Sequence, residues 1–266
     1  MGKPDIIYED NDIIVCYKPA GIATQTRRIG QQDMESFIRN YRAAKNEPPY
    51  VGIVHRLDQP VEGVMVFAKN QKAAASLSRQ IKEHTTEKYY RAASRGQGVS
   101  GTAVEDEEES FQDKSAYVSK VPVNDKEEDN HASAWHTLTD YISFDKRTNT
   151  SKITSEKDRL AKKAVLQYRV ISVTPDRDSS QNECIRTEFD IKLLTGRHHQ
   201  IRLQLAHIGY SLIGDTKYGK TASNNSGTGS KSGRTGFGVR EQLALCSYKI
   251  VFDHPATGER LTFELP

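Results

Sequence analysis

From Ile53 to Asn70 the chain reads "IVHRLDQPVEGVMVFAKN". Apolar, β-branched runs flank its polar centre, "VGIV" before and "GVMVFA" after, so the pattern predicts two strands joined through "HRLDQP". His55, Arg56 and Asp58 fall in that join. A carboxylate is costly to bury unpaired. Gln59-Pro60 is a turn signal, however, and it places Asp58 at a strand exit beside a cleft. Arg202, in "HHQIRLQL", is the candidate counter-ion, because bidentate pairing to a guanidinium keeps an Asp ionised. Spacing alone leaves both a structural ion pair and a functional site open.

Outward from this stretch the chain reads as strands interrupted by a few helices. "DIIYEDNDIIVCYKP" holds two strand-like runs around a turn at Glu9 to Asp12. Residues 33–45 and 71–84 are helical in composition, with Ala74, Leu77 and Ile81 at helical spacing. Strands return in "LTDYISFD", "KAVLQYRVISV" and "CIRTEFDIKLL". "HHQIRLQLAHIG" is helical, with Ile201, Leu205 and Ile208 on one face, and "LALCSYKIVFDHP" and "RLTFEL" close the chain as strands. Strands in runs, without regular βαβ alternation, predict an α+β fold on a largely antiparallel sheet. The 266 residues are read as one domain, with an acidic excursion at about 97–132 and a Gly/Ser-rich loop at about 221–238.

Apolar residues make up 36% and charged residues 27%, which fits a globular chain rather than a disordered or membrane one. No apolar run approaches the ~20 residues that span a bilayer, and the start lacks a secretory profile, so the expected location is the cytoplasm. Cys16, Cys184 and Cys246 are far apart and odd in number, which argues for reduced structural thiols rather than disulfides or a metal site. The net charge of +3 hides an asymmetry: residues 101–130 carry −7 and the remainder +10. Without its acidic segment the chain is basic, as a binder of phosphate backbone is.

Two motif matches fail on context. "GDTKYGKT" (214–221) fits the P-loop spacing, but "ASNNSGTGSKSG" follows where that loop needs a helix. His198, His199 and His207 suggest metal, yet adjacent helical residues point about 100° apart. No Cys or carboxylate cluster completes a tetrahedral set, so no metal is expected.

Read in order, the motifs resemble those of the RluA-type pseudouridine synthases. "EDNDIIVCYKPAGIATQ" resembles the opening strand pair that ends in Lys-Pro-Ala-Gly, and "VHRLDQPVEGVMVFAKN" the catalytic His-Arg-Leu-Asp motif. "EKYYRA" resembles Lys-x-Tyr-x-Ala, "LLTGRHHQIRLQLAHIGYSLIGDTKYG" the Thr-Gly-Arg-x-His-Gln-Ile-Arg block with its Gly-Asp-x-x-Tyr-Gly turn, and "DHPATGERLTFELP" the closing strand pair. The chain departs from the usual pattern at Val61 and Glu62, where Thr and Ser are common, at His198 in place of Thr and at Gln204 in place of His.

The resemblance implies a mixed, largely antiparallel sheet flanked by helices and loops, and isomerisation of uridine to pseudouridine in rRNA or tRNA without a cofactor. It implies that Asp58 is the catalytic carboxylate, held ionised by Arg202. Tyr90 is expected to stack on the target uracil, His55 and Arg56 to grip the flipped nucleotide and its phosphates, and Leu203 to supply an apolar wall. The motifs begin within ten residues of the start, so RNA contact is expected from the catalytic domain itself, with no S4-like domain before it, and from a monomer. Two other readings stay open. One is a non-catalytic RNA-binding relative. The other is a nucleoside hydrolase that uses Glu62 as the second carboxylate such chemistry normally needs.

Overall fold

The computed structural model describes residues 4–26, 30–97, 134–177, 183–219 and 241–266. The expected acidic excursion beyond residue 97 and the expected Gly/Ser-rich loop lie outside them. Near the start, Asp10 makes the predicted turn: its Oδ1 accepts the Asp12 and Ile13 amides, both at 2.8 Å, between β1 (Asp5–Glu9) and β2 (Ile13–Lys18). Helix α1 (Met34–Ala44) starts at Asp33, whose side chain accepts the Ser36 amide while the Ser36 hydroxyl accepts the Asp33 amide. This reciprocal cap satisfies two backbone donors that a helix start otherwise leaves unpaired.

The two strands predicted on either side of "HRLDQP" are β3 (Gly52–Ile53) and β4 (Glu62–Ala68). β3 is only two residues long, so Val54 to Val61 form an irregular connection with Asp58 inside it. Helix α2 (Gln71–Lys82) follows, capped by Asn70, then β5 (Glu87–Gln97), β6 (His136–Asp145) and β7 (Thr150–Thr154). The long β8 (Lys162–Arg177) and β9 (Glu183–Leu193) precede α3 (Gln200–His207), β10 (Leu245–Asp253) and β11 (Arg260–Glu264).

These strands form one sheet in the order β1-β2-β4-β10-β5-β9-β8-β6-β7, with β3 on β4 and β11 on β10. Among the described residues only β4 and β10 pair in parallel, so the α+β, largely antiparallel expectation holds. Gly63 permits that parallel contact. Its φ of +134° suits glycine, and a Cβ there would lie 2.2 Å from the Ser247 carbonyl oxygen.

The centre of the sheet is covered on both faces, which is why β2 and β4 read as continuous apolar runs rather than alternating ones. Ile14, Cys16, Met65 and Phe67 point to one core, shared with Met34 and Ile38 of α1 and Ile201 and Leu205 of α3. Ile13, Val15, Val64 and Val66 point to the other, shared with Ala73 and Leu77 of α2. Helix α3 departs from the expectation of one apolar face, since every residue from Gln200 to Leu205 is buried. That burial makes its polar side chains internal partners.

Candidate active site

The Val54–Val61 connection is fastened from both sides. The Thr24 hydroxyl donates to the Leu57 carbonyl at 2.9 Å and accepts the Leu57 amide at 3.1 Å. Lys18 is completely buried, and its ammonium donates to the carbonyls of Pro19, Ile22 and Gln59 at 3.0, 2.6 and 3.2 Å. Burial pushes its pKa down to about 8. The Gly21 amide donates to the same Gln59 carbonyl at 2.8 Å. Leu57 and Val61 anchor the loop in the core beneath α3. Asp58 is therefore presented by a braced loop, with 30% of its side chain exposed.

Arg202 reaches Asp58, but its bidentate partner is a different carboxylate. Nε and Nη2 donate to Oδ2 and Oδ1 of Asp215, each at 2.7 Å, and only Nη1 faces Asp58, 3.7 Å from its Oδ2. Both Asp215 oxygens take up the guanidinium edge because the Gly-Asp-x-x-Tyr-Gly turn sets the carboxylate directly across from α3. The same turn adds the Lys217 and Tyr218 amides to Asp215 Oδ1. Burial opposes both charges, yet each partner outweighs it: Arg202 is held above its ordinary pKa and Asp215 below. The pair is a fixed, buried mount that offers one guanidinium N–H toward Asp58.

His199 is the second neighbour of Asp58 and was missed as a site residue in the sequence, where it figured only as a rejected metal ligand. Its Nε2 lies 3.5 Å from Asp58 Oδ2. The residue starts α3 with a left-handed backbone (φ 55°), and this turn of the chain swings the ring toward the loop. Tyr218 holds its other nitrogen: the phenol oxygen accepts the Ser151 amide at 2.9 Å and is hydrogen-bonded to His199 Nδ1, also at 2.9 Å. Nε2 is thereby turned toward Asp58. Burial, with the positive charge of Arg202, pushes the His199 pKa down to about 3, so the ring is neutral.

The other expected site residues sit as follows. Tyr90, on β5, is buried in the core that holds Leu57, and burial raises its phenol pKa while the charge of Asp58 raises it further. Arg56 is exposed, and its charge reaches His198 at the mouth of the site. His55 faces inward: its Nε2 accepts the Val66 amide at 3.1 Å, and burial, with the charge of Lys88, pushes its pKa down to about 3. It braces β4 from within. Leu203 lies apart from Tyr90, in a small core with Ile142 and Ala164. Glu62 is engaged by the Tyr17 hydroxyl at 2.9 Å and by Gln242 at 3.1 Å. The one described cluster with metal-ligand chemistry, Asp10, Asp12 and His254, is bound into the β1–β2 turn by its own hydrogen bonds.

Comparison with known proteins agrees with this geometry. A family profile described as RNA pseudouridylate synthase matches residues 12–207. Ribosomal large subunit pseudouridine synthase D of Vibrio parahaemolyticus is 29% identical over 265 residues, covering 98% of this chain but 66% of the relative, just under two thirds of its length. tRNA pseudouridine synthase C of Haemophilus ducreyi is 28% identical over 261 residues, 97% of this chain and 88% of that protein. Human RNA Pseudouridylate Synthase Domain Containing 1 shares the fold, with a TM-score of 0.63 at 20% identity over 99% of this chain and 83% of that one. With the family profile spanning most of the chain and the RluA-type motifs assembled around one carboxylate, the protein belongs to the RNA pseudouridylate synthase family, whose members are isomerases that convert uridine to pseudouridine.

Proposed function

We propose that this chain isomerises uridine to pseudouridine in structured RNA, ribosomal or transfer, with Asp58 as its catalytic carboxylate. The observation that carries the reading is the setting of Asp58: a partly exposed carboxylate on a braced loop, with His199 Nε2 and Arg202 Nη1 3.5 and 3.7 Å from one of its oxygens. The reaction breaks the bond from the uracil N1 to the sugar C1′, turns the base, joins C5 to C1′ and moves one proton from C5 to N1. Nothing is oxidised, reduced or hydrolysed, and one carboxylate suffices as nucleophile on the sugar or base, or as base at the sugar. Tyr90 supplies an aromatic wall beside Asp58, and Arg56 a cation at the mouth for the RNA backbone. Among the described residues no helix is long and apolar enough to cross a membrane. The unpaired thiols of Cys16 and Cys246 suit a reducing compartment, which supports the cytoplasm as the place of reaction.

Pseudouridines mapped in total RNA from cells with and without the chain test the proposal. Sites present only with the wild-type chain, and lost with Asp58→Asn while RNA binding persists, are the expected result. Free uracil instead of pseudouridine would point to hydrolysis. Binding with no product from the wild-type chain, and no tritium released from uridine labelled at C5, would leave a non-catalytic binder.

A further inference from the structure

β6 and β7 form a hairpin that reaches the start of α3 and the turn at Lys217 and Tyr218, where hydrogen bonds moor it. The Ser151 amide donates to the Tyr218 phenol at 2.9 Å, the Ser151 hydroxyl to the His198 carbonyl at 2.9 Å, and the Lys217 ammonium to the Asn149 carbonyl at 2.8 Å. Phe144 stands opposite Ser151 in the hairpin register, so the two side chains share the face turned toward α3. The Phe144 ring meets the His198 ring with centroids 4.3 Å apart and planes at 49°. His198 in turn lies on His199 at 3.7 Å and 31°. A ladder of rings therefore leads from Asp58, through His199 and His198, to Phe144 at the surface.

The outer end of the ladder is open. Phe144 is 38% exposed, an uncommon state for a ring that its neighbours hold so firmly. The Ser151 hydroxyl hydrogen is committed to the His198 carbonyl, so His198 Nδ1, 3.0 Å from Oγ, donates to that oxygen and leaves Nε2 as an acceptor. Burial pushes the His198 pKa down; the charge of Asp58 opposes this, and those of Lys217, Arg202 and Arg56 reinforce it. Flat apolar faces bordered by cations match a nucleobase and its phosphates, the chemistry with which proteins hold single-stranded nucleic acid. A nucleotide covalently joined to one held at Asp58 cannot travel far from it.

We propose that Phe144 and His198 form a stacking platform for the base adjacent to the target uridine, with Arg56 and Lys217 placed for that nucleotide's phosphates. The platform rests on the reading of Asp58 as the catalytic carboxylate. It adds a subsite that reads the sequence neighbour of the modified uridine. A Thr at position 198 would leave Phe144 without a ring beneath it.

The probe is total RNA from cells lacking the chain, followed by a synthetic RNA of a mapped site in which the 5′ or 3′ neighbour of the uridine is an abasic ribose. At limiting RNA, Phe144→Ala and Phe144→Leu are expected to lower the rate of pseudouridine formation by roughly 5- to 100-fold, the span of base–aromatic stacking. Phe144→Tyr stays within about threefold of wild type, the difference lying in KM rather than kcat. On the RNA whose stacked neighbour is abasic, wild type and Phe144→Leu become equal. Leu retaining full rate, or the Leu and abasic losses multiplying for both neighbours, would overturn the platform. Wild-type protein forming no pseudouridine at all would instead overturn the reading of Asp58.

Discussion

Replacing Asp215 by Asn, a change of one atom at the buried partner of Arg202, is expected to cost the protein more stability than replacing Asp58. The Asp215 side chain is 1% exposed and that of Arg202 4%, and two charge-assisted bonds of 2.7 Å join them. In Asp215→Asn the amide oxygen can still accept the Lys217 and Tyr218 amides, but the charge that balances Arg202 is gone and an NH2 group faces a guanidinium donor. Leaving a buried charge without its partner costs about 3–5 kcal/mol. In a chain of this size that is a fall of roughly 6–20 °C in Tm. The Asp58 side chain is 30% exposed and lies 3.7 Å from Arg202, so Asp58→Asn should move stability by less than about 1 kcal/mol while abolishing product. Arg202 set loose from its mount misplaces the one N–H offered to Asp58, and the kcat of Asp215→Asn should fall about 10- to 100-fold at temperatures where it is folded. Thermal melting and urea titration give stability, and initial rates on cellular RNA give kcat. The decisive variant is Asp215→Asn with Arg202→Met, which removes the stranded charge and keeps the one side-chain oxygen that accepts the Lys217 and Tyr218 amides. It should recover at least half of the lost stability and none of the activity. Melting of Asp215→Asn within 2 °C of wild type, or a further loss on adding Arg202→Met, would refute the mount.

Acid stability should decline earlier than carboxylate titration alone would dictate. His55 and His199 are neutral in the fold with pKa values near 3 against 6.5 when unfolded, so stability is full above about 6.5 and drains as pH falls toward 3. Between pH 6.5 and 5 each contributes a loss of up to about 2 kcal/mol, and His199→Gln should remove roughly half of the pH-dependent part of the urea midpoint. An unchanged pH slope in that variant would be inconsistent with a buried neutral ring. Thr24→Val deletes both bonds to the Leu57 backbone and strands a buried N–H and C=O, for a loss of about 2 kcal/mol or more. Its kcat should drop more than its affinity for RNA, and equal changes in both would show that the brace is structural only.

Legibility in the sequence followed the range of the interactions. Helices α1 and α2 were readable because their signals are local: helical composition in both, and apolar spacing at Ala74, Leu77 and Ile81 in the second. β7 went unread, since "TSKIT" is short, half exposed and held mainly by its neighbour β6 and by α3. Asp58 and Arg202 stood out through ordered motifs, whereas the allegiance of Arg202 to Asp215 depends on how a turn folds back against α3, which no local pattern encodes. Asp215 lay in plain view inside "GDTKYGKT", read as the Gly-Asp-x-x-Tyr-Gly turn once the P-loop match had failed, but nothing along the chain marked it as the partner of Arg202. His199 needed a left-handed backbone at a bulky residue to face Asp58, and neither the conformation nor the Tyr218 bond that holds its ring is visible along the chain. His55 looked like a ligand contact in the motif and is instead the acceptor for a β4 amide, a role that appears only once β3 and β4 are paired.

The place of β10 in the sheet has a consequence for how the molecule is made. It lies between β4 and β5, two strands synthesised long before it, and it makes the only parallel pairing between strands among the described residues. While a ribosome works through the intervening chain, at about 5–20 residues per second, β4 and β5 wait with facing edges open. Unpaired edges are templates for pairing with other chains. The nascent protein therefore passes through a vulnerable interval in which its most apolar strand is half-zipped and the Asp58 loop has neither Arg202 nor Asp215 to meet. The gap closes late, when β10 enters it with only β11 still to pair, so a chain stopped before β10 lacks the strand that joins the two halves of the sheet.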